Sequence, residues 1–175
     1  LVRDTTVTAL RINNGYNNTI QNSIITENVD GIDASGANIN NLNIINNQIY
    51  ANSGIGANVA NGLQINLWGN GIETNAVAGI VAYDIQALNI EGGYCERNGA
   101  VGYTFTSPET LSIKDDIILL SGGKTLSLTP SQNVSGCRIA GVSFTAYGSG
   151  DVPSPGLSID CHIFATAADN LIVEN

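Results

Sequence analysis

Residues 42–50 read LNIINNQIY, residues 65–73 INLWGNGIE, residues 88–96 LNIEGGYCE and residues 111–119 LSIKDDIIL. Each block starts 23 residues after the one before it. Leu42, Ile65, Leu88 and Leu111 keep this step, and so do Ile44, Leu67, Ile90 and Ile113, and Ile49, Ile72, Cys95 and Ile118. Asn52, Asn75 and Asn98 share it, with Asn28 placed 24 residues before Asn52. A fixed period between about 20 and 50 residues is the mark of a solenoid.

Working outward from these blocks, each repeat holds three short apolar motifs. The first is an apolar pair with one residue between: Leu10/Ile12, Ile32/Ala34, Ile55/Ala57, Ile80/Ala82, Tyr103/Phe105, Leu126/Leu128 and Leu157/Ile159. The second has the same shape: Leu42/Ile44, Ile65/Leu67, Leu88/Ile90, Leu111/Ile113, Cys137/Ile139 and Leu171/Val173, with a weaker copy ending at Ile20. The third is one apolar position five residues later, at Ile25, Ile49, Ile72, Cys95, Ile118 and Phe144. Alternation at period two predicts strands. Three short strands per turn predict an all-β coil that climbs one strand spacing, about 4.8 Å, per repeat, with like residues stacked in columns. Six to seven coils of 22–25 residues are expected, a rod of roughly 30 Å. Residues 1–145 read as regular coils and 146–175 as a last coil with longer loops. The Gly/Pro/Ser-rich run TAYGSGDVPSPG at 145–156 reads as an exposed loop. The chain has no Met, so preceding polypeptide is expected, and it stops just after a strand motif, so further chain or a covering partner is expected at that end.

The Asn column follows the third strand by three residues. Asn tolerates the left-handed backbone of a sharp corner. Stacked amides also hydrogen-bond along a column, so an Asn ladder is expected through Asn28, Asn52, Asn75 and Asn98, ending where Ser121 takes the slot. Gly69, Gly71, Gly92 and Gly93 read as residues easing one tight bend.

Only 12% of the chain is charged, and the formal net charge is −9. An acidic surface repels phosphate backbones, which argues against nucleic-acid binding. No apolar run approaches the length of a membrane span. Cys95, Cys137 and Cys161 lack metal-ligand spacing and read as thiols packed as small hydrophobes.

On these residues the chain resembles a right-handed parallel β-helix of the pectate-lyase-like superfamily, and its short Asn-rich coils are similar to the β-helical bodies of bacteriophage tailspikes. The resemblance spans Leu10 to Val173. It implies a tailspike or tail-fibre segment on the virion tail, outside the cell. Such a segment engages bacterial surface polysaccharide, assembles as a homotrimer and joins other virion or tail proteins. A secreted polysaccharide lyase, hydrolase or epimerase and a purely structural virion spacer are the competing expectations, because this fold hosts all of them.

The repeat also aligns outward residues. Tyr50, Glu73 and Glu96 share one column; Gln48, Gly71 and Tyr94 form the adjacent one, and Arg97 follows Glu96. Aromatic faces stack on sugar rings and amides bond hydroxyls, so Gln48, Tyr50, Tyr94 and Arg97 are the expected glycan contacts. Glu73 and Glu96 are the candidate catalytic pair of a glycoside hydrolase or polysaccharide lyase. Neighbouring carboxylates raise the pKa of one partner, as an acid catalyst requires. The competing reading is a solvated pair offset by Arg97 or Tyr94. Tyr83 and Asp84 form a weaker sugar-binding candidate. Asp33 aligns with Gly56 and Val81, so no acidic cluster builds there. Ile45 and Trp68, in the column that continues through Glu91 and Lys114, are the expected subunit interface, with a sugar platform and corner packing as the alternatives. Asp115/Asp116 read as a turn and His162 as a surface residue. No calcium, zinc or phosphate-binding motif occurs, so the reading calls for no metal and no cofactor.

Overall fold

Alternating apolar and polar residues are realised in a computed structural model as three parallel β-sheets wound into one solenoid. The structure describes residues 1–99 throughout; beyond them it describes the strands between 101 and 174, as backbone except at Ser112 and Lys114. The first sheet holds Leu10–Arg11, Ile32–Ala34, Ile55–Ala60, Ala78–Tyr83, Val101–Thr106 and Lys124–Thr129. The second holds Asn18–Gln21, Ile39–Ile45, Gly62–Trp68, Ala87–Glu91, Thr110–Lys114, Gly136–Ala140 and Leu171–Glu174. The third holds Val2–Arg3, Ile24–Thr26, Gln48–Tyr50, Gly71–Glu73, Tyr94–Glu96, Ile117–Leu119 and Ser143–Thr145. Each coil passes through the sheets in that order. Residues 1–99 make about four coils, and the strands described beyond them bring the three sheets to 6 or 7 strands each, close to the six to seven coils expected.

The second and third motifs pair in the predicted register. Leu42 stands beside Ile65, Ile65 beside Leu88, and Leu88 beside Leu111. Ile49, Ile72 and Cys95 do the same in the third sheet. The first motif slips by two residues in one coil. Ile32 pairs with Ala57 and Ala34 with Val59, so the inward pair there is Ala57/Val59 and not Ile55/Ala57. Both choices keep the side-chain alternation, and only the neighbouring coils decide between them. Asp33 consequently lies beside Asn58, not Gly56.

Inward side chains fill the coil. Ile25, Ile32, Leu42, Ile44, Ile49, Ile65 and Ile80 have no exposure, and Cys95 packs as a buried thiol in the column that contains Ile25, its Sγ accepting from Asn98 Nδ2 at 3.1 Å. Each such aliphatic side chain contributes about 1.5–3 kcal/mol of burial, which one isolated coil cannot collect.

Left-handed backbone marks all three corners, but the ladder asparagines do not supply it. After the third sheet it falls one residue earlier, on Glu27, Ala51, Thr74 and Arg97, at φ 58°, 54°, 53° and 49°. Asn22, Asn46, Gly69 and Gly92 take it after the second sheet, and Asn38, Asn61 and Asp84 after the first. Gly71 lies within a strand, so it eases no bend.

The corner after the third sheet aims the following amide inward. Asn28, Asn52, Asn75 and Asn98 are buried there as the expected ladder. Asn75 Oδ1 accepts from Asn52 Nδ2 at 2.8 Å and from the Asn52 backbone N–H at 3.3 Å. Asn98 Oδ1 accepts likewise from Asn75 at 2.9 and 3.1 Å. The remaining amide hydrogen reaches a strand carbonyl, as in Asn75 Nδ2 to Ile49 O at 3.1 Å. Thr5 caps the low-numbered end, its backbone N–H and hydroxyl both donating to Asn28 Oδ1. A second buried rung pair, Asn47 and Asn70, occupies the corner after the second sheet, with Asn47 Nδ2 donating to Asn70 Oδ1 at 3.1 Å. Space beside the main ladder is reserved by glycine: a Cβ on Gly56 would lie 2.7 Å from Asn75 Nδ2. Ser121 lies outside the described residues.

Asn75→Ala removes an acceptor from two donors of Asn52 and takes away one of the two donors to the Asn98 oxygen, which keeps the backbone N–H of residue 75. It is expected to cost about 3 kcal/mol in urea unfolding. Ala51→Gly relieves a left-handed non-glycine residue that is exposed. A gain of up to about 1 kcal/mol is expected in the same measurement, after the entropy of glycine is discounted.

Candidate functional site

Period-two alternation sends the residues flanking Ile25, Ile49, Ile72 and Cys95 to the outer face of the third sheet. Two columns result. One runs Ile24, Gln48, Gly71, Tyr94; the other runs Arg3, Thr26, Tyr50, Glu73, Glu96. The candidate residues Gln48, Tyr50, Glu73, Tyr94 and Glu96 therefore share one face, with Glu73 and Glu96 directly adjacent in register.

Gly71 shapes this face. A Cβ there would lie 2.5 Å from Gln48 Oε1 and 2.7 Å from Cε1 and Cζ of Tyr94. The Tyr94 ring thus folds across the bare backbone of Gly71 and reaches two coils back. Its hydroxyl donates to Gln48 Oε1 at 3.0 Å, and Glu73 Oε1 lies 3.5 Å away. Burial, then the charge of Glu73 and its hydrogen bond, then the charge of Glu96 hold the Tyr94 phenol above the ordinary tyrosine pKa of 10.0. Arg97, at the corner, sets its Nε 3.4 Å from Glu96 Oε1, so the guanidinium serves the outer carboxylate of the pair. Thr26, on the same column as Glu73, is only 4% exposed and its hydroxyl has no hydrogen-bond partner.

The other candidates lie elsewhere. Tyr83 ends a strand of the first sheet and Asp84 occupies the left-handed corner after it, so neither joins the Tyr94 face. Ile45 and Trp68 stack on the outer face of the second sheet, Trp68 being 40% exposed. Glu91 and Lys114 extend that column as an exposed ion pair at 3.1 Å, worth little to stability. Asp33 is held by Arg11 at 3.1 Å and by Ser35. Cys161, His162, Asp115, Asp116, Leu157/Ile159 and residues 146–156 of the Gly/Pro/Ser-rich run lie outside the described residues. Period counting missed Thr26, the seat at Gly71 and the Tyr94–Gln48 bond. That bond's 46-residue separation is two coils, and a search for one-coil steps does not find it.

Among the described residues no group of three or more His, Cys, Asp and Glu is placed to hold a metal ion, and no helix is long and apolar enough to cross a membrane. Residues 2–144 match the family described as the right handed beta helix region. The chain belongs to the right-handed β-helix family. No curated protein and no solved structure matches it. Its fold as a β-helix is compatible with proteins that interact with polysaccharide.

Alkaline titration probes the β-helix face directly. The folded chain holds the Tyr94 proton more tightly than the unfolded chain does, so this residue's contribution to stability is complete below pH 10.0 and is lost as pH climbs through the raised value. Tyr94→Phe is expected to flatten part of the fall in stability above pH 10.0, measured by urea unfolding at stepped pH. Gly71→Ala is expected to displace the ring and bring the Tyr94 phenolate transition back toward the ordinary range.

Proposed function

We propose that this β-helix is a segment of a bacteriophage tailspike or tail fibre whose third-sheet face binds bacterial surface polysaccharide. The observation that carries the reading is the Tyr94 ring, laid over Gly71 with an amide at its tip and Tyr50, Glu73 and Glu96 alongside. A flat aromatic surface flanked by hydrogen-bonding groups suits a sugar ring, and the underlying sheet holds its parts still before any ligand arrives. Glu73 and Glu96 supply the carboxyl pair that glycoside cleavage uses, so depolymerisation is part of the reading. In this setting the protein works outside the cell, on a virion tail, as a homotrimer with the Ile45/Trp68 stripe between subunits and other tail proteins joined to it. Tyr83 and Asp84 are a secondary glycan contact at most.

A spacer role is the second reading. It is favoured by an outward ladder in which Asn66 Nδ2 donates to Asn43 Oδ1 at 2.8 Å and Asn89 Nδ2 to Asn66 Oδ1 at 2.9 Å, a device that stiffens the coil without chemistry.

Titration against a panel of capsule and O-antigen polysaccharides, followed by chain-length analysis, tests both. Binding that weakens about tenfold or more in Tyr94→Ala supports the glycan face. Shortening of the polymer that stops in Glu73→Gln and Glu96→Gln supports cleavage. A protein that binds none of the panel is a spacer. Sedimentation at micromolar concentration gives the assembly state, and a monomer contradicts the tailspike reading and favours a secreted enzyme.

A further inference from the structure

The charges on the third-sheet face are unevenly matched. Glu96 has Arg97 at 3.4 Å, and Arg3, at the far end of the column, has Asp4 at 3.3 Å. Among the described residues Glu73 has no cation within ion-pair distance; its contact is the Tyr94 hydroxyl at 3.5 Å. A neutral hydroxyl at that distance leaves most of the accepting capacity of a carboxylate unused. The buried Thr26 hydroxyl adds a second polar group on the same column with no partner. Both flanking arginines are committed to acids, and the whole chain carries a net charge of −9, so among the described residues nothing on this face compensates a second anion.

We propose that the face selects glycans bearing protonated amino groups, with the ammonium on the Glu73 carboxylate and the sugar ring against Tyr94, and that it disfavours uronate polymers. This rests on the glycan-binding reading above and adds a substrate class to it. An ammonium completes the carboxylate with charge-assisted hydrogen bonds, whereas a uronate meets Glu73 and Glu96 as like charges.

Three oligosaccharides of matched length separate the possibilities by calorimetry at low salt: glucosamine oligomers, the same oligomers fully N-acetylated, and galacturonate oligomers. The glucosamine oligomer is expected to bind about fivefold more tightly than its acetylated twin, and the galacturonate most weakly. Glu73→Gln is expected to erase the difference. Glu91→Gln, which makes the same charge change on the second sheet, is expected to leave it intact. Equal losses in the two variants mean general attraction of a polycation to an acidic chain, and overturn the proposal. Equal binding of amine and acetylated forms, both lost in Tyr94→Ala, overturns it while leaving the glycan face standing. Preference for galacturonate also overturns it. Failure of all three oligomers to bind overturns it too, and the polysaccharide panel then decides the broader reading separately.

Discussion

A chain that turns sharply three times per coil must satisfy the backbone groups it exposes at each turn, and the buried amides do so. At the corner after the third sheet, the N–H groups of Asn28, Asn52 and Asn75 point along the stack to the next coil's side-chain oxygen, which also accepts that residue's own amide hydrogen. One oxygen therefore serves two donors, and the remaining hydrogen returns to a strand carbonyl. Groups left unpaired at such depth would each cost roughly 1–3 kcal/mol. The left-handed residues just before the ladder carry a strain of about 1–2 kcal/mol each. The ladder offsets that strain while locking the height of each coil over the last.

That lock is what gives the outer face its chemistry. Ile44 to Ile49, Leu67 to Ile72 and Ile90 to Cys95 are each five residues apart, so the second and third sheets meet at a corner of constant length. Variation is placed in the other turns. The coil from Ile32 to Ala57 takes 25 residues, yet the third-sheet partners keep their order. Tyr94 can therefore cross Gly71 and find Gln48 two coils away, and Glu73 and Glu96 stand side by side although nothing in their local sequence pairs them.

Much of this was legible from spacing alone. Inward residues recur at 23 because a column tolerates only similar shapes, and the outward columns follow by alternation. The two-residue slip at Ile55 was not legible, since Ile55/Ala57 and Ala57/Val59 present the same pattern and only pairing with Ile32 and Ala34 distinguishes them. The left-handed column was hidden for another reason. Glu27, Ala51, Thr74 and Arg97 share no chemistry, so position before a ladder asparagine is the only clue to them. Gly71 was misread because Gly69, two residues away, does ease a bend. One glycine is there for its backbone torsion and the other for the space above it, and sequence shows the same letter for both.

The ladder is also vectorial. Asn28, Asn52 and Asn75 each give an amide hydrogen to the rung of the higher-numbered coil, and Thr5 donates to the first oxygen in the same sense. A gene encoding such a chain can gain or shed whole coils by duplication or excision, because any rung accepts any other as its neighbour. A single-codon insertion inside the five-residue corner has no such freedom. Descent in this lineage should therefore proceed by lengths of rod, while the corner beside the Tyr94 face stays fixed in size.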